Sequence, residues 1–198
     1  MKINLKDWKI TPNHFLSDFA MPLSIEQKIT IFFERVDGWQ LKIADLLSEG
    51  VYDKQGNLII GTSESAYAVL HIIFSFFEMV AKYEKGYTGR ESKKYFKKGL
   101  KSIFPEAKNY PELLNQLYDG VRCGLYHCGK TNSRVFIDNK LTGAIAFTNK
   151  KRVYINPRLL TKNLRKYLKD YVKKLQNIKN QQLRHNFQER FDFDNAIA

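Results

Sequence analysis

One run constrains the fold of this chain more than any other. From Ala66 to Ala81 the sequence is almost wholly apolar, interrupted only by His71, Ser75 and Glu78. Val69, Leu70, Ile72, Ile73, Phe74, Phe76, Phe77, Met79 and Val80 leave most of a helix's girth apolar, which suits the central helix of a bundle. The helix is expected over about Ser63–Tyr83, with Gly86 as its stop. The run is short and interrupted for a membrane span. Its polar residues are ordered. His71, Ser75, Glu78 and Lys82 follow 4-3-4 spacing and fall in one stripe, which either faces water or lines a polar cleft.

Around that helix the pattern predicts a mainly α fold, a bundle of about four to five helices. A small antiparallel β meander is inserted before the last long helix. Residues 1–23 read as irregular. Ser24-Ile25-Glu26-Gln27 has the form of a capping box, and a helix is expected to about Leu47, burying Ile29, Phe32, Phe33, Val36, Trp39, Ile43 and Leu47. Leu58-Ile59-Ile60 reads as a short strand or a packed loop. Residues 91–103 form a basic amphipathic helix, and Pro111 opens the next. Three β-prone runs, 134–137, 144–147 and 152–155, are separated by turn-like residues, Asn149-Lys150 among them. The meander covers about 133–156 and must lie on the helices, since it is too small for a core of its own. A last helix spans about Pro157 to Ile178. The domain is expected over 24–179, with 180–198 as a polar tail.

The 198 residues carry a formal net charge of +13. Residues 101–198 hold 19 of the 33 basic side chains but 8 of the 20 acidic ones. An anionic partner, nucleic acid first, fits that asymmetry. Lys162, Arg165, Lys166 and Lys169 of the last helix are the candidate nucleic-acid contacts. A solvated basic surface is the alternative. The N-terminal residues have no apolar signal core, so a cytoplasmic location and no membrane contact are expected. Cys123 and Cys128 stand five apart in a helix, which suits two reduced thiols better than a disulfide or a metal site.

The chemistry-bearing segment is Tyr118-Asp119-Gly120-Val121-Arg122-Cys123-Gly124-Leu125-Tyr126-His127. Its glycines, four apart, invite close approach by another backbone, and Gly129 is a natural helix cap. Arg122 and His127 are separated by about 7.5 Å of rise and about 140° of turn. Both side chains are long enough to converge on one phosphate. His127 is suited to move a proton from a ribose 2′-hydroxyl or to the leaving 5′-oxygen. Arg122 is suited to hold the phosphate and offset its charge. This route needs no metal and no cofactor, and its product is a 2′,3′-cyclic phosphate. One histidine cannot serve as base and acid in one turnover, so activity favours a homodimer with a shared cleft. The alternatives are structural. Arg122 can pair with Asp119 or Glu78, His127 can be a dipole-favoured helix-terminal residue, and Tyr126 can pack helices rather than stack on a base.

At these residues the chain resembles the HEPN superfamily, helical and commonly dimeric domains with an arginine four to six residues before a histidine. Many members are metal-independent ribonucleases of toxin–antitoxin, abortive-infection and CRISPR-linked systems, and others are silent binding partners. The resemblance implies that Arg122 and His127 are catalytic at a dimer cleft, with Glu78 in support. It also implies RNA or a nucleotide as ligand and a protein antitoxin or other partner. Cys123 stands where members often carry a polar residue.

Overall fold

The computed structural model describes residues 8–61, 65–148 and 150–195. Helix α1 (Ile25–Val36) begins at the expected capping box. The Ser24 hydroxyl accepts from the Gln27 amide at 3.2 Å, and Gln27 Oε1 accepts from the Ser24 amide at 2.8 Å. A cap of this kind contributes about 1 kcal/mol. The helix continues through a π turn, Asp37–Leu41, into α2 (Lys42–Glu49). The wider turn takes in an extra residue and rotates the buried face. Leu41 and Ala44 are therefore buried, while Trp39 and Ile43, expected in the core, are exposed. Arg165 holds this turn, donating to Asp37 at 2.8 Å and also to Asp45.

The apolar run forms α3 (Ala66–Lys85), capped by left-handed Gly86. A start at Ser63 lies outside the described residues. By length and composition α3 would also pass for a membrane-crossing helix, with ten of its 20 residues buried within the bundle. Helix α4 (Ser92–Ile103) crosses it very closely, because Gly99 sits directly on the Phe77 carbonyl. The segment Pro111–Cys128 is one helical run in three parts: α5 (Pro111–Asn115), a π segment (Gln116–Cys123) and α6 (Gly124–Cys128). Gly129 caps it in the left-handed region, as expected.

Strands β1 (Val51–Tyr52) and β2 (Leu58–Ile60) make a small antiparallel hairpin. The expected meander is corrected. Strands β3 (Val135–Ile137), β4 (Ile145–Phe147) and β5 (Val153–Ile155) form a mixed sheet in the order β3-β5-β4. β3 pairs with β5 in parallel, Val135 opposite Val153, and only β4 with β5 is antiparallel. Val153 and Ile155 are fully buried, so β5 takes the central position, and the chain uses β4 as the crossover that a parallel pair requires. Of the expected separator Asn149-Lys150, Asn149 lies outside the described residues.

Asn156 caps α7 (Pro157–Gln176), accepting from the Leu159 amide at 3.1 Å. Its buried stripe is the expected one, except that Ile178 lies past the helix end and is exposed. The polar tail is also corrected. Residues Gln181–Asp194 form α8, which packs on α3 through Phe187 and Phe191. The Phe187 ring meets Phe32 at 5.4 Å and Tyr83 at 5.6 Å. Leu183, Phe187 and Phe191, at i, i+4 and i+8, seat this otherwise polar helix on the core. The N-terminal segment stays irregular but is strapped to α1. Thr11, Asn13 and His14 all contact Glu34, at 2.6, 3.0 and 2.8 Å.

Candidate functional site

The polar stripe of α3 lines a cleft. A hollow of about 310 Å³ lies between Ser75, Glu78 and Lys82 of α3, Arg122 and Tyr126 of the Arg/His run, and Arg190 of α8. Glu78 is the hub. Lys82 Nζ lies 2.7 Å from its carboxylate, the Ser92 hydroxyl donates at 2.6 Å, and Arg122 stands 3.9 Å away. Burial pushes the Glu78 carboxyl up, but the hydrogen bonds from Lys82 and Ser92 and the charges of Lys82 and Arg122 outweigh it. The carboxyl is held below its ordinary value.

Arg122 is positioned from three sides. Its guanidinium lies 4.8 Å from the centre of the Tyr126 ring and 5.8 Å from that of Tyr118, and Glu78 faces it from α3. Tyr126 is fixed in turn, since its hydroxyl donates to the His71 carbonyl at 3.1 Å. His71 staples α3 to α6, its ring nitrogens 3.0 Å from the Tyr67 carbonyl and 2.9 Å from the Leu125 carbonyl. Arg122 sits in a π segment, a form of helix that recurs at functional sites. The two glycines serve the expected purpose. The chain after Gly129 folds back over them, Asn132 donating from its amide to the Gly120 carbonyl at 3.0 Å.

Of the site residues expected from sequence, Arg122, Tyr126 and Glu78 come together. His127 is exposed near the end of α6 and does not line the Arg122 hollow. It has no side-chain hydrogen bond or ion pair among the described residues. Asp119 pairs with Lys93 at 2.9 Å, not with Arg122. On α7, Arg165 is engaged by Asp37 and Asp45, and Lys162 stands 3.7 Å from Glu49. Lys166 and Lys169 remain exposed. Cys123 and Cys128 are free thiols.

Sequence reasoning missed the wall supplied by α8. Arg190 is buried, donates to the Tyr87 carbonyl at 2.8 Å and is clamped by Asp194. Burial first, and then the nearby Asp194 carboxylate, push the adjacent Tyr83 phenol well up. Arg190 at i and Asp194 at i+4 were a legible helical pair, but only a helical reading of the tail would have exposed it. No family model matches the chain, and no curated protein or solved structure matches it either.

Proposed function

We propose that this chain is a metal-independent endoribonuclease that works as a homodimer. The observation that supports it best is an anchored arginine and an exposed, unengaged histidine five residues apart on one helical run. Arg122 is held by Glu78 and two tyrosine rings at an open hollow, and His127 is free to meet a substrate. In the proposed reaction the ribose 2′-oxygen bonds to phosphorus and the P–O5′ bond breaks. One imidazole takes the 2′ proton, and an imidazolium returns a proton to the leaving 5′-oxygen. Arg122 offsets the charge on the phosphoryl oxygens. Two histidines from two copies supply base and acid, which is also the arrangement the HEPN resemblance implies. Glu78 acts as a positioning residue behind Arg122.

One observation favours a second reading. His127 lies outside the hollow that Arg122 lines, so a single copy binds an anion there with no base in place. The chain is then a non-catalytic RNA- or nucleotide-binding protein, or a helical partner-binding scaffold.

Incubating mixed RNA with the chain and a chelator separates these readings. The ribonuclease reading expects 2′,3′-cyclic phosphate ends from the wild type and none from His127→Ala. The variant should keep its stability within about 0.5 kcal/mol, as expected for an exposed residue. Equal cleavage by both proteins, or none by either, removes the catalytic reading.

A further inference from the structure

Both α4 and α7 carry lysines without an acidic partner among the described residues, and of the two only α4 reaches the Arg122 cleft. Lys93, Lys94, Lys97, Lys98 and Lys101 occupy its outward side. Lys93 and Lys94 have carboxylate partners, Asp119 and Glu91. Lys97 donates to the neutral Asn115 side chain at 2.5 Å, and Lys98 to the Tyr87 hydroxyl at 2.9 Å. Neither these two nor Lys101 forms an ion pair among the described residues. On α7, Asp37, Asp45 and Glu49 balance Arg158, Lys162 and Arg165, and Lys166, Lys169, Lys173 and Lys174 form no ion pair among the described residues.

The C-terminal end of α4 borders a second hollow, about 290 Å³, ringed by Lys85, Lys98 and Lys101 with Tyr87. Glu84 also lines it, but its carboxylate already accepts from Ser102 at 2.8 Å and from Tyr167. The half-buried Tyr87 ring stacks on the buried Tyr95 ring at 4.9 Å, with Lys98 Nζ 4.6 Å from the Tyr87 centre. The Lys98 hydrogen bond is the largest influence on the Tyr87 phenol, and burial opposes it. With the charges of Lys98, Lys85 and Lys94, that bond pulls the phenol below its ordinary value. The other end of α4 reaches the Arg122 cleft, where Ser92 donates to Glu78. From Ser92 at the cleft to Lys98 and Lys101 at the hollow the helix rises about 9–14 Å, at 1.5 Å per residue.

We infer that the outward face of α4 binds the phosphate backbone of single-stranded RNA, from the Arg122 cleft to the hollow of Lys85, Lys98 and Lys101. A lysine track leading to a partly exposed tyrosine, Tyr87, suits the backbone of a flexible strand. The Gly99 crossing fixes α4 rigidly on α3, so the track is preformed. This inference concerns binding and stands apart from cleavage.

The test uses a fluorescein-labelled 2′-O-methyl oligouridine, which lacks the 2′-hydroxyl that cleavage requires. Its affinity is followed by anisotropy across a salt series. Three proteins are compared: wild type, Lys97→Gln/Lys98→Gln/Lys101→Gln, and the charge-matched Lys166→Gln/Lys169→Gln/Lys173→Gln. The α4 variant is expected to bind about ten-fold or more weakly, with a salt slope smaller by about 2, at about 0.7 per lost contact. The α7 variant should change by less than about three-fold. Equal weakening in both variants would assign the effect to net charge and overturn the inference. So would an unchanged α4 variant, or a wild type that does not bind. Intact binding by a wild type that leaves unmodified RNA uncut would remove the ribonuclease reading alone.

Discussion

Arg122 stands 3.9 Å from Glu78, a carboxylate that Lys82 and Ser92 already hold at 2.7 and 2.6 Å. The arginine therefore faces an acid whose position two helices, α3 and α4, determine. A guanidinium at this separation is oriented without being locked, which leaves its donors available to a phosphate.

That relationship has a pH signature. Glu78 ionises more readily folded than unfolded, so it adds stability above the ordinary value of 4.5. This contribution is lost as the pH falls from 4.5 through the lower folded value. Glu78→Gln is expected to destabilise by about 1–2 kcal/mol near neutrality. Urea titrations should give a constant gap from wild type between about pH 6 and 8 that shrinks below pH 4.5.

Gly99→Ala tests the crossing of α3 and α4. A methyl group there would fall on the Phe77 carbonyl, with backbone on both sides and no flexible side chain to yield. Helix propensity alone would favour alanine by about 1 kcal/mol. The clash is expected to win, with a net loss of about 3 kcal/mol or failure to fold. A denaturant midpoint at or above wild type would refute the close crossing.

The two glycines of the Arg/His run should differ. At Gly120 an added methyl meets the Asn132 side chain, which can turn aside; at Gly124 it meets the Lys130 backbone carbonyl at 2.6 Å. Gly120→Ala is expected near neutral, its clash offset by the gain of about 1 kcal/mol in helix propensity. Gly124→Ala is expected to destabilise by about 1–2 kcal/mol. Hydrogen exchange at the Asn132 amide, which bonds Gly120, should report the loosened return loop in the second variant alone.

Phe187→Ala tests whether α8 belongs to the core. Phe187 is fully buried against Phe32 and Tyr83. Its truncation is expected to remove about 3–5 kcal/mol. A loss under about 1 kcal/mol would mean that α8 is a loosely attached tail.

Much of this molecule was legible as periodicity. The stripe through Ile29, Phe32 and Val36, that through Leu160, Leu164 and Leu168, and the apolar girth of α3 each demand burial on one helical face. The Ser24 cap, Pro111 and Gly129 follow from local backbone chemistry in the same way. Trp39 and Ile43 escaped that logic because a π turn, stabilised from α7 by Arg165, shifted the register. The order β3-β5-β4 escaped it because strand neighbours are chosen by which strand best fills the core, and Val153 and Ile155 do. Arg122, His127 and Glu78 could be nominated one by one from residue type and spacing. That Glu78 faces Arg122 while His127 does not line the same hollow, and that α8 walls the cleft, depend on contacts between segments far apart in the chain. Such contacts are set by packing of the whole bundle, and no local pattern encodes them.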